Sequence, residues 1–321
     1  MALDLLPPIA AQIGQMILVI LVAPLLIGVI RKTKARLLCR VGASIFQPYL
    51  DLWKLMVKEI VPAHNTSWIY RVAPYVVFST TWVAAALVPT FATGLMFHGA
   101  ADLVAIVGLL ATARFALALA GMDVGTSFGG LGASREMMIS ALAEPAMLMV
   151  VFTLAMLAHT THLAAIATFL AHQPIGLQLS LMLVFLTFIA VLLAENGRIP
   201  IDNPATHLEL TMVHEAMILE YSGRHLAVIE AAAALKLVLY FSVFLCLFAP
   251  CGIVTSLESV PAILEGFVLY MAKLLLGGVA LAIGETCVAK MRVFRVAEFL
   301  GAGLVLGLLA VLLLFASEGV R

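Results

Sequence analysis

The sequence predicts an all-α integral membrane protein with about eight transmembrane helices and a short amphipathic interfacial helix after the first. Three observations carry that expectation. Hydrophobic residues make up 64% of the 321-residue chain and charged residues 11%, against roughly a quarter charged in soluble domains. Eight windows are apolar for the ~20 residues needed to cross a ~30 Å hydrocarbon core. The connections that carry Lys and Arg all fall on one side of the implied topology, and those on the other side carry neither.

The windows run 9–30, 70–93, 102–120, 134–158, 177–195, 226–249, 262–287 and 294–316. The first lacks a basic n-region and a small-residue cleavage site, and its apolar run is longer than that of a signal peptide, so it reads as a retained span. The connection behind it carries Arg31, Lys32, Lys34, Arg36, Arg40, Lys54, Lys58 and Arg71. Within it, Gln47–Glu59 sets Tyr49, Leu50, Trp53, Leu55, Met56 and Val57 broadly on one side of a short helix expected to lie in the interface. The connections 94–101, 159–176 and 250–261 hold no Lys or Arg, whereas 196–225 holds Arg198 and Arg224, and 288–295 holds Lys290, Arg292 and Arg295. By the positive-inside rule both termini face outward, and the long loops 31–69 and 196–225 face the cytoplasm. No repeat or soluble domain interrupts the pattern, so residues 1–321 are expected to form a single polytopic membrane domain.

Several functions are excluded by what the residues do not form. The formal net charge is zero, and no nucleic-acid partner is expected. Cys39, Cys246, Cys251 and Cys287 are scattered singly, which suggests neither an iron–sulfur cluster nor a structural zinc site. His214-Glu215 is followed by Ile218 where a zinc protease motif needs a second His. His159 and His162 lack further ligands, so no metal site is expected. Gly129, Gly130 and Gly132 follow no strand, and no dinucleotide fingerprint is read there.

What remains is charge inside the spans, each residue costing ~2.5–3.5 kcal/mol at a helix centre unless it has a partner, water or a changed protonation state. Glu136 and Glu144, eight residues apart, are separated by roughly 80° around a helix and about 12 Å along it, so one wet wall can carry both. Glu265 and Lys273 have the same offset. Structural pairing between helices explains any one of these residues. The set as a whole points to a proton relay, because buried ion pairs seldom gain stability over apolar packing. The relay candidates are Glu136, Glu144, Glu195, Glu230, Lys236, Glu265, Lys273 and Glu285. Arg135 and Arg198 are expected to orient neighbouring carboxylates through a permanently charged fork, as is Arg114 in the third span.

From about Arg31 to Arg295 the chain resembles the membrane-anchor subunit family shared by complex I and the group 4 nickel–iron hydrogenases. The stretch Arg31, Ala35, Arg36, Arg40, Gly42, Gln47, Asp51, Lys54 and Leu55 resembles the first cytoplasmic loop of the complex I subunit that anchors the quinone module. The run Gly121-Met-Asp123-x-Gly125, Gly132-Ala-Ser-Arg135-Glu136 and Glu144-Pro145 is similar to the hydrogenase-4 and formate hydrogenlyase anchor subunit. Glu195-x-Gly197-Arg198-x-Pro200-x-Asp202, then Glu209-Leu210 and Glu220-Tyr221-Ser222-Gly223, resembles the long loop of both branches. Gly42-Ala43 and the segment Asp202–Glu209, with two acids fewer than complex I anchors carry, favour the hydrogenase branch.

The resemblance implies a non-catalytic membrane anchor of a hydrogenase-4-like respiratory complex in the cell inner membrane. Arg36, Arg40, Asp51, Lys54, Arg198, Asp202, Glu209, Glu215, Glu220 and Tyr221 would face the peripheral arm, with Asp123 and Arg292 joining the charge-orienting groups. Its partners would be hydrogenase-like large and small subunits, an iron–sulfur subunit, antiporter-like membrane subunits and lipid. Iron–sulfur clusters and a nickel–iron centre would then belong to the partners, and this chain would bind no cofactor. Two alternatives stay open: the quinone-site subunit of NADH:quinone oxidoreductase (complex I), and a stand-alone proton-coupled transporter.

Overall fold

The computed structural model describes residues 6–63, 65–172, 179–199, 212–254, 260–289, 291 and 293–318. The helices are α1 (Leu6–Leu37), α2 (Gln47–Val57), α3 (Trp68–Leu87), α4 (Leu103–Asp123), α5 (Ser127–Ala158), α6 (Leu163–His172), α7 (Leu179–Glu195), α8 (His214–Ile218), α9 (Gly223–Phe248), α10 (Val260–Cys287) and α11 (Val293–Glu318). Among the described residues the only extended pairings are two isolated bridges, Ala92 with Val254 and Asp102 with His162.

Among the described residues, six helices are long and apolar enough to span a bilayer: α1, α4, α5, α9, α10 and α11. The other two expected spans correspond to α3, of 20 residues, and α7, of 17 residues. At 1.5 Å per residue α7 reaches only about 25 Å. A short helix stands where the sequence placed the interfacial one, as α2.

Local chemistry sets the helix ends. Ser67, Asp102 and Thr126 are N-caps whose side-chain oxygens accept from the N–H groups of Ile69, Val104 and Gly129, satisfying donors a first turn leaves open. Two buried glutamines of α1 do the converse at the end of α3. Gln12 donates to the Ala86 carbonyl at 2.9 Å and Gln15 to that of Val88 at 2.6 Å.

α5 begins at Ser127, seven residues ahead of the expected 134, because its glycines serve close packing rather than a loop. A Cβ on Gly129 would stand 2.2 Å from the Gly121 carbonyl, and one on Gly132 would stand 3.0 Å from Ala216 Cβ. An equally tight contact joins α1 to the first long loop, where a Cβ on Gly28 would lie 1.9 Å from the Ile45 carbonyl oxygen. Gly28→Ala is therefore expected to lower stability by about 1–3 kcal/mol, as overpacking does. Thermal unfolding in detergent reads the change, and an unaltered midpoint would refute this contact.

α9 is the central post, with two-thirds of its apolar window buried inside the protein. It packs against α1, α3 and α10, while α5, α7 and α11 form a second group. α4 bridges the two by touching α3 and α5, and α7 meets α9 over a short stretch. The seam between the groups is where the charged side chains gather.

Candidate functional site

Arg114 lies midway along α4 and is 5% exposed. Its guanidinium spreads across three carboxylates: Nε is 3.6 Å from Glu136, Nη1 is 3.0 Å from Glu144, and Nη2 is paired with Glu195. Ser140 accepts from Arg114 at 2.6 Å and donates to Glu144 at 2.7 Å. Glu136, Ser140 and Glu144 recur every four residues, so one stripe of α5 turns all three toward α4. Glu195, the last residue of α7, also lies 3.0 Å from Lys236 Nζ on α9. Tyr240, one turn further along α9, packs against Glu195.

Three carboxylates thus face two cations, and the fully ionised cluster carries a charge of −1. One additional proton makes it neutral, which a low-dielectric site favours. Access is graded: the side chain of Glu195 is 2% exposed, Glu136 15% and Glu144 36%. Glu195 is a sealed inner group and Glu144 an open rim.

A second charge centre sits at the basic-loop end. Glu285 of α10 lies 3.1 Å from Lys34 of α1 and 3.6 Å from Arg198, and Arg31 lies 4.0 Å from Asp51 of α2. Glu230 interacts electrostatically with Arg31 and Asp51. The residue that joins the two centres is Gly197. Its φ of +53° ends α7, with the N–H of Gly197 donating to Ala194 and that of Arg198 to Leu193. This paired closure is the Schellman motif, which needs a left-handed residue and so favours glycine. It swings Arg198 onto Glu285 while Glu195, three residues earlier, stays on Arg114. Burial lowers the Arg198 pKa, Glu285 opposes that shift, and the like charge of Arg31 adds to it.

A third assembly clasps the two long loops together. The rings of Tyr70 and Tyr221 stack at 4.0 Å with a 3° interplanar angle. Tyr70 donates its hydroxyl proton to the Glu220 carbonyl at 2.6 Å, and Tyr221 donates to the Tyr70 carbonyl at 2.9 Å. Ser222 Oγ both accepts from the Val61 N–H and donates to the Val61 carbonyl. Burial raises the Tyr221 pKa well above the ordinary tyrosine range, with Tyr70 and Asp123 adding to it, so its hydroxyl remains a donor.

The remaining sequence candidates are distributed as follows. Arg135 donates to the Met212 carbonyl at 3.0 Å, and Asp123 accepts from the Ser67 N–H at 2.8 Å, so both hold backbone. Lys273 donates to the carbonyls of Ala249 and Cys251, remote from the Arg114 cluster. Glu265 is exposed near the start of α10. Arg36, Arg40, Lys54 and the side chain of Glu220 lie exposed on the basic-loop end, and Glu215 is half-buried in α8. Asp202, Glu209, Lys290 and Arg292 lie outside the described residues. Sequence reasoning missed Ser140, Tyr240 and the pairing of Lys34. The first two stand one helical turn from Glu136 and Lys236, a signal that was available; Lys34 meets Glu285 across 251 residues and left none.

A family model described as NADH dehydrogenase matches residues 11–316. The chain belongs to that family. Within it, the chain is 34% identical over 302 residues to hydrogenase-4 component C of Escherichia coli K12, covering 93% of each protein. It is 30% identical over 305 residues to formate hydrogenlyase subunit 4 of the same organism, covering 94% of this chain and 97% of that one. A solved structure of an archaeal respiratory membrane complex, the membrane-bound sulfane sulfur reductase, contains a chain matching with a TM-score of 0.79. That match covers 94% of this chain and 97% of the other at 19% identity, a likeness of fold. This member of the NADH dehydrogenase family is a multi-pass membrane protein homologous to the hydrogenase-4 and formate hydrogenlyase subunits.

Proposed function

We propose that this chain is the membrane-anchor subunit of a hydrogenase-4-like respiratory complex, docking the peripheral redox module and coupling its electron transfer to proton translocation. The observation that carries the coupling is Glu195, sealed between Arg114 and Lys236 in a cluster one proton short of neutrality. Such a group binds or releases a proton when a neighbouring cation moves, and the Gly197 turn ties that movement to the loop behind it. The loops at 31–69 and 196–225 would face the cytoplasm and hold hydrogenase-like large and small subunits and an iron–sulfur subunit. Antiporter-like subunits would receive the protons, and both termini would lie outside the inner membrane.

The relay is tested with Glu195→Gln in the intact complex. Protons moved per electron are expected to fall steeply, since a lost proton-transfer group costs about 10²–10⁴-fold in rate, while electron transfer to a soluble dye persists. An unchanged ratio would remove Glu195 from the relay. The partners are tested by gentle purification and mass spectrometry. Hydrogenase-like subunits with iron and nickel would support the assignment, and flavin-containing NADH-oxidising subunits would transfer it to complex I, a reading kept open by the family match.

A further inference from the structure

Lys273 sits near the middle of α10, thirteen residues or about 20 Å from that helix's first residue. Its ammonium nonetheless reaches the carbonyls of Ala249 and Cys251, just beyond the end of α9. Non-helical backbone therefore descends beside the middle of an apolar span. The same descent is visible six residues, about 9 Å, into α10, where a Cβ on Gly266 would stand 3.0 Å from the Phe91 carbonyl and 3.3 Å from that of Gly252.

Irregular backbone at bilayer depth is tolerated where protein buries it or where it lines a water-filled cavity. Here a small cavity of about 10 Å³ opens among Thr90, Cys251, Gly252, Tyr270 and Lys273, about the size that holds one water. Thr90, 6% exposed, lines it and carries a hydroxyl that meets no hydrogen-bond partner among the described residues. Cys251 and Gly252 are exposed at its mouth. The lining combines an ammonium, a hydroxyl and the carbonyl end of α9, and α9's partial negative charge there favours a cation.

We propose that the ends of α3, α9 and α10 opposite the basic loops enclose an aqueous vestibule that terminates on the Lys273 ammonium and takes water and hydrated protons. The vestibule gives Lys273 an exchange route on the face away from the peripheral arm, through a part of the chain distinct from the Arg114 cluster. It extends the relay reading by supplying that face with a port, yet its existence does not require a hydrogenase partner.

Native cysteines make the test direct. Sealed vesicles of both orientations, carrying the intact complex, are treated with a membrane-impermeant cationic methanethiosulfonate, and labelled residues are read by mass spectrometry. Cys251 is expected to react at least about ten-fold faster than buried Cys246, since only a hydrated thiolate is attacked. It is expected to do so from the face opposite the one that exposes Cys39. Two deeper reporters, Lys273→Cys and Thr90→Cys, each placed in Cys251→Ser, are expected to react from that same face, whereas Leu276→Cys stays silent. Leu276 is 68% exposed on the protein surface, so its silence separates lipid from water. Labelling of Cys251 with either deeper reporter sustains the vestibule. Silence of Cys251, silence of both reporters, or reaction from the Cys39 face overturns it. Failure to recover hydrogenase subunits in purification leaves these outcomes unaffected.

Discussion

Arg114→Met is expected to be the most damaging single substitution in the bundle. It leaves Glu136, Glu144 and Glu195 facing one another with Lys236 as the one remaining cation among the cluster's charged groups. Breaking a buried pair by removing one partner destabilises by about 3–5 kcal/mol, and here a single side chain serves three carboxylates. Neutrality of the cluster would then need two protons instead of one, so the variant should bind one proton more than the native cluster. The expected result is a lowered thermal midpoint in detergent that recovers partly as pH falls. Arg114→Met/Glu195→Gln should regain part of the loss, because the sealed charge is gone. A single variant as stable as the native chain would show that the cluster is held neutral by other means.

Gly223→Ala is the second large effect, and it acts through the clasp. Gly223 has φ +54°, and a Cβ there would stand 2.3 Å from the Glu59 carbonyl oxygen. Left-handed backbone costs a non-glycine residue roughly 1–2 kcal/mol, and the contact with fixed backbone adds to it. The loop carrying Glu59 and Val61 must therefore separate from Ser222, unstacking Tyr70 from Tyr221. The expected outcome is faster proteolysis within 58–67 with α9 still inserted and, on the proposed docking role, weaker retention of peripheral subunits. Hydrogen exchange at Val61, whose N–H is held by Ser222, reports the opening; protection equal to the native chain would refute it.

Six of the eight expected spans stand as helices long and apolar enough to cross a bilayer, legible in the sequence because lipid imposes a single strong rule on composition. Their neighbours were not, since hydropathy says which helices cross and not which ones touch. That gap explains the fate of the individual charges. Glu136 and Glu144 came together as their spacing indicated, both on Arg114. Arg135, adjacent in sequence, points instead to Met212, because one residue along a helix is a turn of 100°. Glu265 and Lys273 share the same spacing, yet Lys273 was drawn to unpaired carbonyls that only the fold brings near it. The window opening at 134 missed the first turns of α5, where Gly129 and Gly132 form a packing face against Gly121 and Ala216, a tertiary effect overriding a local one.

Arg114 also constrains how the protein is made. The chain emerges N-terminus first at roughly 5–20 residues per second, and Glu136 follows Arg114 by 22 residues and Glu195 by 81. α4 is thus complete several seconds before its sealed counter-charge exists. During that interval it carries a guanidinium that bilayer insertion disfavours by ~2.5–3.5 kcal/mol. α4 therefore meets its full set of counter-charges only once α5 and α7 have been made: a ribosome stalled before Glu195 leaves behind a bundle whose centre has not yet been closed.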